Sequence, residues 1–227
     1  MFKNIWDALK KNPLIDESYE IMDELHDQTR KMFTIAMKAL MDQNADPEKV
    51  IKMDKEVNMN VQRIRRSVFE YFSLSSVPNI HGGLILISLV IDYERIGDYA
   101  KELANIREEY DFRESFQPDN RKELHMMEDL IIEMGPEAHD SFMSPVQKYP
   151  TPVTGLEIKL KEHYDNLREL TLKKNIQRDE ALTVITSARL MKRIAGHLDN
   201  IASSAARPFP KLGFKPGAST WEDQTPH

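Results

Sequence analysis

The chain has 227 residues, of which 41% are apolar and 30% charged, with a formal net charge of −6. Those proportions describe a globular chain with a core and exclude a disordered one. Acidic residues are spread along the sequence and only Arg63, Arg65 and Arg66 cluster, so nucleic acid is excluded as a partner. There is no cysteine, which rules out disulfides and thiolate metal sites and fits a reducing compartment.

The first segment, MFKNIWDALKK within residues 1–12, sets Phe2, Ile5, Trp6 and Leu9 on one helical face and Lys3, Lys10 and Lys11 near the other. Packing on the main body is the plain reading. Contact with a membrane surface or a partner is the alternative, since aromatic and basic residues suit an interface. The segment lacks the long apolar stretch of a secretory signal, so a cytoplasmic protein is expected.

From there the pattern is helical almost throughout, with no sustained period-two alternation. Pro13, Pro47, Pro78, Pro118, Pro145, Pro150 and Pro152 mark boundaries. The first long helix is read over about 15–43, with Ile21, Leu25, Met32, Ile35, Ala36 and Leu40 as its apolar stripe. Asp46-Pro47 opens the second as an N-cap followed by a first-turn proline. That helix carries Val50, Met53, Val57, Ile64, Val68 and Phe72. The third follows Pro78 and ends near Tyr110. It is apolar nearly all round from Ile80 to Ile91, which predicts a central, enclosed helix. His81-Gly82-Gly83 has no phosphate-cradle context and reads as a helix start or a close helix contact. The apolar run Leu84–Val90 is far short of the ~20 residues that cross a bilayer.

The second half repeats this plan. Helices are expected over about 119–143, 156–175 and 178–206, with SPVQKYPTPVTG linking the first two. MKRIAGHLDNIASSA in the last helix lines up with YERIGDYAKELANIR in the third: Arg193 with Arg95, Ile194 with Ile96, Ala202 with Ala104. A self-similar period of this size signals duplication. The expected fold is all-α: two tandem antiparallel three-helix bundles, six helices in all, with pseudo-twofold symmetry. The chain divides into the segment 1–12, repeat 1 over 13–112, repeat 2 over 118–206 with a degenerate motif, and an extended tail over 207–227.

DYERIGDYAKELANI, Asp92 to Ile106, carries the chemistry. Glu94 and Asp98 are four apart and so share a helix face, where like charges cost a few tenths of a kcal/mol or more when half-buried. A counter-charge is needed. Arg95 lies about 100° around the helix from Glu94 and is a poor source. The second helix offers Asp54 and Asn58, again four apart. Laid antiparallel, the two helices would bring four oxygen donors together, a set suited to Mg, Mn or Fe. The plain alternative is a solvated acidic face. No histidine has a glutamate three residues before it, which argues against an oxygen-activating di-iron site; the nearest pattern is Asp23-x-x-His26, and the seven histidines read as surface or satisfied core. There is no P-loop, no G-x-G-x-x-G and no G-x-S-x-G.

DYERIGDYAKELANI closely resembles the signature of the PhoU family of phosphate-signalling regulators, D-L-E-R-I-G-D-x-A-x-x-I-A. KRIAGHLDNIA stands in the place of the family's second copy, and MGPEAHDSF, Met134 to Phe142, resembles the start of its second half. The resemblance spans about residues 15–206. It implies metal, as Fe, Mn, Mg or Zn, on Glu94 and Asp98 with Asp54 and Asn58 as the second-helix ligands. It also implies protein contact with a phosphate ABC transporter ATPase and a sensor histidine kinase, no enzymatic activity, and a homodimer. A regulator serving another anion or sodium–phosphate carrier is the alternative; a carboxylate metal hydrolase or oxygenase is the enzymatic one. Repeat 2 departs from the family. Lys192 and Gly196 stand where Glu and Asp are expected, and Lys161 and Asp165 where Asp and Asn are expected. The second metal site is therefore expected to be empty, or Lys192 to replace the metal by pairing with Asp165 or another nearby carboxylate. Asn79 and His81 stand where the family has Asp and Arg.

Overall fold

The computed structural model describes residues 13–42, 46–143, 151–173, 175–204 and 209–213. They form six helices: α1 (Pro13–Asp42), α2 (Pro47–Leu74), α3 (Ile80–Glu109), α4 (Pro118–Met143), α5 (Pro152–Lys173) and α6 (Arg178–Ser204). A 3₁₀ turn, Phe209–Lys211, follows, and no strand occurs among the described residues. The segment 1–12 and residues 214–227 lie outside them. Proline is the first residue of α1, α2, α4 and α5, where its missing N–H costs nothing and its φ is already helical.

Helices α1, α2 and α3 pack on one another, as do α4, α5 and α6, and α3 lies against α6 to join the two bundles. The apolar stripes decide the packing. Ile21, Leu25, Met32, Ala36 and Leu40 of α1 are all buried, as are Val50, Val57, Ile64 and Val68 of α2. One apolar cluster runs through both repeats, from Ile15 to Ala202. Tyr93, Phe112 and Phe142 are its largest enclosed side chains, each contributing roughly 1.5–3 kcal/mol by leaving water. Helix α3 is central as expected, touching α1, α2 and α6, but Ile80 and Ile91 on it are exposed.

Helix ends follow the sequence signals. The Asp46 side chain accepts from the Glu48 N–H at 3.0 Å to cap α2, and Asn79 Oδ1 accepts from the Gly82 N–H at 3.0 Å to cap α3. Gly83 sits where a Cβ would run into the Phe72 ring, so α2 and α3 approach closely there. Helix α3 ends with Asp111 in the left-handed region at φ 50°. The Phe112 N–H then bonds to the Arg107 carbonyl at 2.9 Å and the Asp111 N–H to that of Glu108 at 3.2 Å, the double closure of a Schellman end. Buried Arg107 locks this corner. It donates from Nε to the Leu40 carbonyl and from Nη1 to those of Phe112 at 3.2 Å and Glu114 at 2.9 Å. Its guanidinium lies over the rings of Phe112 and Phe116 at 4.6 and 4.7 Å.

MGPEAHDSF falls in the later part of α4 rather than at the start of the second half, which begins with Pro118. Pro136 sits inside that helix and removes one donor from its ladder.

Candidate functional site

Helices α2 and α3 run antiparallel and bring acidic side chains to one half-buried face. Asp54 of α2 is 8% exposed. Its Oδ2 accepts from Lys101 Nζ of α3 at 2.7 Å, and the same ammonium reaches Asp98 Oδ1 at 3.3 Å. Asn58 Nδ2 donates to Asp54 Oδ2 at 3.4 Å. Glu94, one turn away on α3, is turned to Arg65 Nη2 of α2 at 3.0 Å. Asp98 Oδ2 also meets Arg95 Nη1 at 3.3 Å.

So the register brings Asp54, Asn58 and Asp98 together as expected, and directs Glu94 elsewhere. Arg95, which its angle to Glu94 argued against as a counter-charge, serves Asp98 instead, because residues three apart also share a face. Lys101 is the residue that sequence reasoning missed. Its signal was the spacing Asp98-x-x-Lys101, the same three-residue neighbourhood. Burial on its own would lower the ammonium's pKa, but hydrogen bonds and charge from Asp54 and Asp98 outweigh it and the pKa is raised. The lysine is therefore charged at any physiological pH.

Hard oxygen donors of this kind suit Mg, Mn or Fe in their chemistry. As placed, they do not fit a metal ion. The ammonium holds the position between Asp54 and Asp98, and Glu94 faces away to Arg65. Among the described residues no three histidine, aspartate or glutamate side chains converge as a ligand group.

The matching face of repeat 2 is built differently. Lys161 Nζ pairs with the buried Glu157 at 2.7 Å. Lys192 Nζ lies 4.5 Å from the centre of the Tyr164 ring, a cation–π contact. The pairing expected between Lys192 and Asp165 is not made: Asp165 is exposed and meets Arg168 at 3.2 Å. The aromatic face beside Lys192 is the nearer partner, and Asp165 stays with solvent. Space is open beside Gly196.

A second polar network crosses the seam between repeats. His139 of α4 meets Asp23 of α1 through Nε2 at 2.9 Å and the Tyr93 hydroxyl of α3 through Nδ1 at 3.2 Å. His26 of α1 stacks on His139, with ring centres 4.5 Å apart and planes 23° from parallel. Burial, then the charge of His139, pushes His26 down to about 4. On the other side of α3, Asp92 accepts from Asn200 of α6 at 3.1 Å and pairs with His197 Nδ1 at 2.7 Å. A shallow apolar cleft lies beside His26, walled by Phe33, Ile96, Ile131 and Ile194. His139 and His197 bond across the seam and join the repeats, and His26 stacks on His139.

The PhoU domain family model matches residues 22–106, the first repeat. The crystal structure of PhoU from Pseudomonas aeruginosa superposes with a TM-score of 0.73 and 19% sequence identity, covering 86% of this chain and 96% of that one. No curated protein matches.

Proposed function

We propose that this PhoU-like chain is a non-catalytic, cytoplasmic regulator of phosphate uptake and phosphate-starvation signalling that acts by protein contact. The observation that carries the reading is the placement of the signature Asp92–Ile106 on α3, the helix that packs on α1, α2 and α6 at once. A signature at the centre of a helical scaffold, with its Glu94 and Asp98 already in ion pairs, favours surface contact as the way to act. No helix among the described residues is long and apolar enough to cross a membrane.

The contact face we assign is the α2–α3 end of repeat 1. Phe69, Leu74, Val77 and Ile80 are all exposed there, Val77 by 85%. Large apolar side chains gathered at one end of a helical protein suit a protein partner. By this reading the partners are the ATPase subunit of a phosphate transporter and a sensor histidine kinase.

The test is direct binding of the purified chain to each of these two proteins from its own organism, with and without phosphate. Binding to one or both is expected, weakened at least about tenfold, or about 1.4 kcal/mol, by Leu74→Asp with Val77→Asp. Circular dichroism should stay unchanged, because both side chains face solvent. No binding to either protein under any phosphate condition removes the reading. Binding that ignores the double variant moves the contact to another face.

A further inference from the structure

Charge balances locally on the α2–α3 face. Three carboxylates, Asp54, Glu94 and Asp98, meet three cations, Lys101, Arg65 and Arg95. A divalent ion added to that set would be surplus charge, so it could enter only by displacing a cation already present. The one in its way is Lys101, which spans from α3 to Asp54 on α2 while holding Asp98 on its own helix.

An ammonium is suited to this place. It is a compact charge with three donors, and two of them are committed here. It is tethered to the helix, so it is present at a high effective concentration that a dissolved ion must overcome. Removing it would leave Asp54, 8% exposed, facing Asp98 without the charge between them. Repeat 2 handles its corresponding face with lysines too, Lys161 on Glu157 and Lys192 over Tyr164.

We infer that Lys101 is the resident cation of repeat 1: it ties α2 to α3 through Asp54 and Asp98 and keeps divalent metal out of the acidic cluster. The inference concerns the inside of the repeat and does not depend on which protein the outside contacts.

Manganous ion is the probe. The full chain, freed of metal with chelator and dialysed, is titrated with MnCl₂ by calorimetry and by thermal unfolding, beside Lys101→Met, Lys101→Arg and Lys101→Met/Asp98→Asn. The wild type is expected to show neither saturable binding nor a shift in melting temperature up to millimolar Mn²⁺. Lys101→Met should melt several degrees lower without metal. It should gain Mn²⁺ affinity of about 10- to 100-fold over the wild type, the range in which ligand surroundings tune metal sites, and recover its melting temperature with Mn²⁺. Lys101→Arg keeps a cation and should behave like the wild type. Adding Asp98→Asn should abolish the gained binding.

Three results would overturn the inference. One equivalent of Mn²⁺ bound by the wild type and lost in Glu94→Ala/Asp98→Ala would show that metal takes the cluster despite the lysine. Absence of Mn²⁺ binding in Lys101→Met would show that the ammonium was keeping nothing out. A Lys101→Met melting temperature equal to the wild type's would show that the lysine ties nothing together. Each is separate from the partner-binding result, which is read on other residues.

Discussion

The two repeats share a helix order and a packing plan, yet they build the face between their second and third helices from different residues. Repeat 1 collects carboxylates from both helices and threads a lysine between them. Repeat 2 has Lys192 and Gly196 at the positions of Glu94 and Asp98, with Lys192 against Tyr164, open space beside Gly196, and its buried Asp199 accepting from Thr154 of α5 at 2.7 Å. Both bundles are filled by one continuous apolar cluster, whichever residues that face carries. A duplicated fold can therefore keep its core while the polar groups on one face change. What each copy retains is the apolar stripe; what each is free to vary is the half-buried face.

The largest expected effect tests whether the repeats are one folding unit. Arg107 sits where repeat 1 turns into α4, donating to three carbonyls and lying over two phenylalanine rings. Arg107→Ala is expected to cost about 3–4 kcal/mol, the sum of lost charged hydrogen bonds and ring contacts at a buried site. For a chain of this size that lowers the melting temperature by about 10 °C. Because the core is shared, calorimetry should show one lowered transition. Two resolved transitions, with only one moved, would show that the repeats melt separately. Arg107→Lys should recover less than half, since an ammonium cannot span the same fork of acceptors.

The seam between repeats supplies the next effect, through pH. His26 is held at about 4 by burial first and by the charge of His139 next, with Arg30 also lowering it and Asp27 and Asp140 opposing. The unfolded chain protonates this ring near 6.5. Between those values the unfolded state holds a proton that the folded state does not, so stability is complete above pH 6.5 and falls as pH drops toward 4. The ring keeps part of its solvent contact, so the full shift is discounted, to about 1 kcal/mol at pH 5. His26→Phe keeps a ring against His139 and removes the titration. Urea midpoints at pH 7 and pH 5 should differ less in the variant than in the wild type. Equal differences would mean that the seam is not where acid acts.

Much of this was legible in the sequence, and the illegible part has a physical reason. Apolar periodicity and proline placement located all six helices, since burial of one stripe and the proline ring's fixed φ act locally. Asp54 and Asp98 could be set opposite each other because antiparallel neighbours follow from a short turn. The destination of each carboxylate could not, because it depends on which cation the register brings within about 3 Å, and Arg65 lies 29 residues from Glu94. The contact of His139 with Asp23 crosses 116 residues and two bundles; no local spacing encodes it. Charge alone points Lys192 at a carboxylate. The neighbouring residue, Tyr164, offers its ring face, and half-buried lysine stems favour such apolar company.

Two glycines give the smallest and most direct comparison of the repeats. At Gly83, in the first turn of α3, an added Cβ meets the Phe72 ring and comes within 3.1 Å of Val68 Cγ1. At Gly196, in the third helix of repeat 2, it meets nothing within 4 Å. Gly83→Ala should cost about 1–2 kcal/mol by forcing the ring aside in a packed contact. Gly196→Ala should add about 0.5–1 kcal/mol, because a helical glycine carries extra unfolded-state entropy and nothing stands in the way of the methyl group. Chemical denaturation of the two variants reads both signs. If both destabilise, the side of Gly196 is not open to a methyl group. If the signs differ as expected, repeat 2 keeps its glycine where the fold makes no demand for one, and the loss of the acid at that position is a change in chemistry rather than in packing.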